Sequence, residues 1–129
     1  MNGFETLTRL GGYIMLFSIL SLYLFKLPLP GPDLFKPALM GFLEITTGIR
    51  NICEHASGLS GLLLVTASVS FGGISGIFQT RSVLMRNSGR KNAGLSIRHY
   101  IFWKALHSLL SCIFLLILWK LYASSFFSS

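Results

Sequence analysis

The chain carries no Lys, Arg, Asp or Glu over 26 consecutive residues, from His55 to Thr80. An uncharged apolar stretch of that length is typical of a helix that crosses a lipid bilayer. Its second half, SFGGISGIFQT, nevertheless holds two adjacent glycines, Gly72 and Gly73, where a lipid-facing helix favours leucine. Helix-breaking residues at membrane depth are tolerated where protein or a water-filled cavity satisfies the freed backbone groups. The sequence therefore predicts a spanning helix over 58–80 that is interrupted at the glycine pair.

The composition also indicates a membrane protein. Charged residues make up 12% of the chain and hydrophobic residues 52%, whereas soluble domains contain about 25% charged residues. The formal net charge of +7 would suit a nucleic-acid partner. The basic residues flank apolar segments, however, which anchoring in a bilayer explains better, so we expect no nucleic-acid partner. Cys53 and Cys112 lie in apolar surroundings and are interpreted as buried thiols.

Two further spanning helices are predicted, over 8–27 and 97–123. The linker 28–37 holds all four prolines of the chain, so no helix is expected to pass through it. The segment 81–98 is basic, and the positive-inside rule places it in the cytoplasm. The predicted fold class is an all-α membrane protein with about three spanning helices, one of them broken.

A short acidic segment over 38–53 is the remaining apolar element. Its apolar part, ALMGFLEITTGI, has 12 residues and would cover about 18 Å as a helix, against about 30 Å of hydrocarbon. It either re-enters the membrane and turns back, which places the N-terminus in the cytoplasm, or it crosses, which places the N-terminus outside. The distribution of Lys and Arg does not separate these alternatives, and the short length favours re-entry.

Glu44 lies in the middle of that segment. A carboxylate at membrane depth is expensive to bury and is by default a functional-site hypothesis. Thr46 and Thr47 follow it and offer hydroxyl groups to a substrate or an ion. The structural alternative is a carboxylate that pairs with Arg50 or Lys104 during assembly. We favour the functional interpretation.

The interrupted helix also has a functional and a structural interpretation. In the first, half-helix ends and polar side chains at the break face a substrate. The residues concerned are Ser70, Gly72, Gly73, Ser75 and Gln79. In the second, Gly72 and Gly76 form a GxxxG pattern that lets a neighbouring helix pack closely. The glycine pair, together with a short acidic segment just upstream, favours a binding site, because paired interrupted segments are typical of transporter sites.

His107, inside the last predicted span, is a candidate proton relay. A hydrogen bond to a neighbouring helix explains it equally well. The sequence holds no phosphate-binding loop, no cluster of metal ligands and no nucleophile–base arrangement. We therefore expect no enzymatic activity, no cofactor and no metal.

Four motifs occur in the order GGYIMLFSIL, ALMGFLEITTGI, VSFGGISGIFQTRSVL and YIFWKALHSLLS. Together they resemble the C-terminal half of the YlbJ, or SpoVV-type, sporulation integral membrane proteins, which belong to the group with nucleoside-recognition, or Gate, domains. The resemblance covers nearly the whole chain. It implies the fold of concentrative nucleoside transporters, in which each of two inverted repeats has a re-entrant hairpin and a broken helix.

The resemblance also implies a function, the movement of dipicolinate into the developing spore across the outer forespore membrane. It places Glu44, Thr46 and Thr47 at the hairpin, and the broken-helix residues named above along a substrate or ion site. Family members hold two repeats, whereas this sequence holds one, with a compressed hairpin. The resemblance therefore implies a homo-oligomer with copies in opposite orientation, a second Gate-type half subunit, or a truncated gene.

Two function hypotheses follow. The first is a transport subunit in a bacterial cell membrane that moves a small organic anion such as dipicolinate, or a nucleoside-like solute. In that hypothesis Glu44 binds a coupling ion or proton, or holds the break open. The second is a non-transporting membrane partner subunit, or a half-gene with a structural role, in which Glu44 and Gln79 satisfy each other or a partner's helix.

Overall fold

A computed structural model describes residues 3–87 and 96–127, and within them every regular element is an α-helix. The helices are α1 (Gly3–Lys26), α2 (Phe35–Leu43), α3 (Ile45–His55), α4 (Gly58–Phe71), α5 (Gly73–Asn87) and α6 (Ile97–Phe127).

Among the described residues, three stretches are helical, long and apolar enough to cross a membrane: Gly3–Lys26, Gly58–Val83 and Ile97–Ser125. The prediction of an all-α protein with three spans is confirmed at this level. The helix bounds are wider than predicted. α1 begins at Gly3, five residues before the predicted start, and its first turns include an ion pair of 3.2 Å between Glu5 and Arg9, a spacing that supports helix. α6 continues to Phe127 rather than ending at residue 123.

The acidic segment folds as two short helices that meet at Glu44. The backbone of Glu44 is extended, with φ −145° and ψ 128°, and this single residue ends α2 and precedes α3. The predicted linker 28–37 is shorter than expected, because α2 begins at Phe35. Pro37 lies in its first turn, where a missing N–H costs no helical hydrogen bond. The segment 38–53 therefore comprises most of a helical hairpin.

Two glycines let the arms of this hairpin approach closely. A Cβ on Gly48 would stand 2.7 Å from the carbonyl carbon of Met40 and would overlap the backbone of Gly41. Met40 and Ile52 are fully buried beside this contact. The close approach of the backbones is what keeps α2 and α3 together.

The hairpin packs along α1. Its tip is near the middle of α1, where the Ser18 hydroxyl reaches the Glu44 carboxylate. The end of α3 is near the end of α1, where the rings of Phe25 and His55 lie 5.7 Å apart. α3 therefore runs beside α1 in the same direction.

The long apolar segment after the hairpin is interrupted at its glycine pair. α4 ends at Phe71; the next residue, Gly72, has φ 78°, and Gly73 begins α5 with φ 67°. Left-handed backbone of this kind strongly favours glycine. α5 continues to Asn87, so the first residues of the predicted loop 81–98 are helical. Residues 88–95 of that loop lie outside the described residues.

The remaining packing puts α6 along α4, and α5 against α1. Large apolar side chains on α1 and α6 are exposed on the outside of this bundle, which is consistent with contact to lipid. Cys112 is partly buried, but Cys53 is exposed. The expectation of a buried thiol is therefore wrong for Cys53, which lies near the end of α3 beside the exposed side chains of Arg50 and Glu54.

Candidate functional site

Glu44 caps α3 with its own side chain. Its Oε1 accepts the backbone N–H of Thr46 at 3.0 Å, and its Oε2 accepts that of Thr47 at 2.9 Å. The hydroxyls of the same two threonines donate to Oε2, each at 2.5 Å. The first N–H groups of a helix have no partner within it, and negative charge suits that end of the helix dipole. The motif GFLEITTG therefore fixes the carboxylate at the hairpin tip by local chemistry.

A fifth donor comes from α1. The Ser18 hydroxyl donates to Oε2 of Glu44 at 3.4 Å, and the Glu44 residue is 2% exposed. Oε2 thus accepts four hydrogen bonds in the described part of the chain, whereas Oε1 accepts one. An ionised carboxylate offers about four acceptor sites, about two on each oxygen. Oε2 is fully used, and only Oε1 keeps capacity for a further ligand.

The hairpin tip contacts the interruption between α4 and α5. A Cβ on Gly73 would lie 3.3 Å from the carbonyl oxygen of Leu43, and 3.6 Å from both the Cα of Glu44 and the backbone nitrogen of Ile45. Two interrupted helical elements therefore meet at one place. Because Gly73 is buried there, a side chain at this position would press on the turn between the arms.

A positive charge from α6 lies at the other glycine of the pair. A Cβ on Gly72 would overlap the Nζ of Lys104. The same ammonium lies 5.5 Å from the centre of the Tyr100 ring, within the range of a cation–π contact. The interruption thus has a carboxylate-bearing tip next to Gly73 and an ammonium next to Gly72.

These opposite charges do not form the ion pair that the structural interpretation predicted. Among the described residues, Glu44 has no salt bridge to Lys104 or to Arg50, and Arg50 pairs instead with Glu54 at 3.0 Å. Amide and hydroxyl donors surround the carboxylate in place of a cation. That alternative for Glu44 is therefore wrong in this fold.

Two polar side chains of the interrupted helix, Ser75 and Gln79, pair with each other. The Gln79 amide donates to the Ser75 hydroxyl at 3.0 Å, one turn away, and Ser75 is 3% exposed. Ser70 precedes the break and is partly buried. No hydrogen bond in the described ranges links these side chains to Glu44. Of the predicted broken-helix residues, Gly73 is the one that touches the hairpin tip.

Two residues to which the sequence assigned a contact, His107 and Gly76, do not make that contact within residues 3–87 and 96–127. His107 is exposed on α6 and has no hydrogen bond there, so neither a relay partner nor a helix partner is in place. A Cβ on Gly76 would have nothing within 4 Å. Within these residues, the GxxxG pattern does not bring a helix against Gly76.

Sequence reasoning missed one member of the site, Ser18, and assigned another, Lys104, only as a possible ion-pair partner of Glu44. Ser18 is one polar residue in an apolar helix, and nothing in the sequence indicates its contact with Glu44. Lys104 had a usable signal, because Tyr100, Lys104, Ser108 and Cys112 recur every four residues and so share one face of α6. No group of three or more metal-ligating side chains is close together within the described parts of the chain.

Comparison with known proteins gives no match. No family model matches the chain. No curated protein and no solved structure matches it either.

Proposed function

We propose that this chain is a membrane transport subunit of the YlbJ or Gate type, which moves a small organic anion such as dipicolinate, or a nucleoside-like solute, during spore formation. The observation that carries this proposal is the contact between the hairpin tip and the interrupted helix at Gly73. Transporters commonly form their sites where discontinuous helices meet near the bilayer midplane.

The lengths of the hairpin arms support a re-entrant hairpin. α2 has 9 residues and α3 has 11, which correspond to about 14 Å and about 17 Å of helix, against about 30 Å of hydrocarbon. Neither arm is long enough to cross. With its interrupted span, the chain then corresponds to one half-repeat of a concentrative-nucleoside-transporter-like fold.

A half-repeat needs a second half, because inverted-repeat transporters form their site between two halves. The second half is either another copy of this chain in the opposite orientation or a second Gate-type subunit. The proposed location is a bacterial cell membrane, specifically the outer forespore membrane, with the basic segment 81–98 in the cytoplasm. The positive-inside rule supports that orientation.

Within the proposed site, Glu44 holds the hairpin tip against the interruption and offers Oε1 to a coupling ion or proton. Thr46 and Thr47 orient its carboxylate through their amides and hydroxyls. Ser70, Ser75 and Gln79 supply polar side chains along the interrupted helix. The first turn of α5 contains no acidic side chain, so its free N–H groups are suited to an anionic solute.

One observation favours a second candidate, a non-transporting partner subunit. Five donors from this chain already surround the Glu44 carboxylate. A carboxylate used entirely as a helix cap needs no ion or substrate. In that case the hairpin tip only holds the helices together, and the exposed apolar faces of α1 and α6 bind another membrane protein.

The deciding experiment measures dipicolinate per spore in a strain that lacks the gene, complemented with the wild-type gene, with Glu44→Gln or with Glu54→Gln. Glu54 is the matched control, because it is an exposed carboxylate on the same hairpin whose pairing with Arg50 contributes little. We expect the wild type and Glu54→Gln to restore dipicolinate and Glu44→Gln to fail, with normal abundance of all three proteins in the membrane.

Two results contradict the proposal. Unchanged dipicolinate in the deletion strain would mean that another protein carries this flux. Restoration by Glu44→Gln, or loss of dipicolinate only in proportion to lower membrane abundance, would favour the structural partner subunit.

A further inference from the structure

The face of α6 that packs on α4, and that reaches α5 at Tyr100, carries a polar seam in which each position but one has a hydrogen-bond partner. The Tyr100 hydroxyl lies 3.2 Å from the Thr80 hydroxyl, and the Ser108 hydroxyl donates to the Ala67 carbonyl at 3.0 Å. One turn further on, the Cys112 thiol lies 3.9 Å from the Leu63 carbonyl oxygen. Lys104 occupies the position between Tyr100 and Ser108.

Lys104 is the member of the seam that lacks a hydrogen-bond acceptor. Within the described residues its ammonium forms no hydrogen bond and no ion pair, and its polar neighbour is the Tyr100 ring at 5.5 Å. An ammonium has three N–H donors. A charge inside a membrane helix is costly unless it has a partner, and such charges mark substrate or ion pathways. Lys104 is placed at Gly72, beside the interruption.

We infer that Lys104 is the residue that binds the anionic group of the transported solute, a carboxylate, at the interruption between α4 and α5. This inference rests on the proposed transport function and identifies the solute class as an organic anion rather than a neutral nucleoside. The Glu44 carboxylate, next to Gly73, is already surrounded by its own five donors, so the unpaired charge at the break is positive. The positive end of the α5 dipole adds to the same attraction.

The competing role for Lys104 is structural. A cation near the last carbonyls of α4 stabilises that helix end through the helix dipole, with no ligand involved. Removal of a ligand-binding lysine weakens binding of an anionic solute more than binding of a neutral one. Removal of a structural lysine does not distinguish the two solutes. The experiment therefore compares both solutes.

The test measures binding of labelled dipicolinate, a planar dicarboxylate, and of labelled uridine, a neutral nucleoside, to membrane vesicles from the deletion strain that carries each variant, so that any second subunit is present. Vesicles from the deletion strain alone give the background. We expect Lys104→Met to weaken dipicolinate binding about 10- to 100-fold, as for other hydrogen bonds to charged groups, and Lys104→Arg to stay within a few-fold of wild type. Lys120→Met, which removes an exposed lysine from the same helix, is the control and should bind as wild type does.

Chemical rescue keeps the test valid if Lys104→Met folds poorly. In a chain without Cys53 and Cys112, Lys104→Cys is modified either with aminoethyl methanethiosulfonate, which restores an ammonium, or with methyl methanethiosulfonate, which does not. We expect dipicolinate binding to return with the first reagent alone. Equal binding with both reagents would overturn the inference.

The remaining outcomes separate the inference from the proposed function. If wild type binds dipicolinate and Lys104→Met binds it equally well, or if wild type binds uridine alone, the inference is overturned while transport stands. If wild type binds neither solute, the proposed function fails and the inference fails with it. If Lys104→Met lowers thermal stability without changing dipicolinate binding, Lys104 is a cap for α4 and the inference is wrong.

Discussion

Gly48 is the residue on which the hairpin contact depends. Its position against Met40 and Gly41 leaves no room for a methyl group, and the atoms in the way are backbone atoms that cannot rotate aside. Gly76 in α5 provides the opposite case, since a methyl group there would meet nothing within 4 Å. Alanine substitutions at these two glycines therefore measure how much close backbone packing contributes to stability.

We expect Gly48→Ala to destabilise the protein by about 3 kcal/mol, at the upper end of the usual cost of overpacking, because the arms must separate. Gly76→Ala should be neutral or stabilising by up to about 1 kcal/mol, since alanine is a better helix former. Equilibrium unfolding in mixed detergent micelles measures both. Equal stability of the two variants would show that the arms do not touch at Gly48.

The residues of the site differ in how far the sequence could predict them. Glu44 is predictable because a lone carboxylate in an apolar segment is costly, and its threonine partners follow within three positions. Ser18 is not predictable, because it lies 26 positions away and meets Glu44 only through packing of α1 on the hairpin. The reach of the Lys104 side chain to Gly72 likewise depends on how α6 packs on α4.

At the scale of one element, the interruption of the long apolar helix is a backbone feature rather than a side-chain contact. Gly72 has φ 78°, which costs an ordinary residue about 1–2 kcal/mol, whereas asparagine adopts this region readily. Any side chain at position 72 also displaces the flexible end of Lys104. Comparing two side chains of similar size therefore isolates the backbone cost.

We expect Gly72→Asn to retain near-normal stability and Gly72→Val to lose about 2 kcal/mol relative to it, because a β-branched residue strongly resists positive φ. The readout is again equilibrium unfolding in detergent micelles, accompanied by membrane abundance. If Gly72→Val is as stable as Gly72→Asn, the helix runs through this position without the left-handed turn.

The first arm of the hairpin shows why an element can be overlooked in sequence. The prolines of 28–37 predict a linker that continues to residue 37. In the structure α2 already begins at Phe35. Proline fits the first turn as well as a linker, so composition alone does not fix where the linker ends. Glu44 then divides what was interpreted as one acidic segment, because its side chain caps a second helix.

At the scale of the whole molecule, contacts along α1 indicate how deep the hairpin reaches. Glu44 is level with Ser18, and His55 is level with Phe25. Phe25 is seven positions after Ser18 along the helix, which corresponds to about 10 Å along the axis. The chain leaves α1 at Lys26 and returns to that end of α1 at His55. The hairpin therefore begins and ends at the same end of α1.

This geometry predicts that the two segments flanking the hairpin lie on one side of the membrane. In a chain without Cys53 and Cys112, we would introduce one cysteine at a time at Asp33, Ser57 or Ser96, all exposed. In vegetative cells that express the chain in the plasma membrane, Asp33→Cys and Ser57→Cys should react with a membrane-impermeant maleimide added outside. Ser96→Cys, in the basic segment 81–98 and just before α6, should react only after permeabilisation.

The alternative topology gives a different pattern with the same three variants. If the acidic segment crosses the bilayer, Asp33→Cys and Ser96→Cys share one side and Ser57→Cys reacts from the other, because one more crossing separates Asp33 from Ser57. The arms of 9 and 11 residues make that outcome unfavourable, since each covers about half of the hydrocarbon thickness. A crossing would also move His55 away from Phe25 and pull the Glu44 tip from the interruption at Gly73. Labelling of Asp33→Cys and Ser57→Cys from the same side thus tests, in one measurement, the hairpin, its depth and the site that its tip forms.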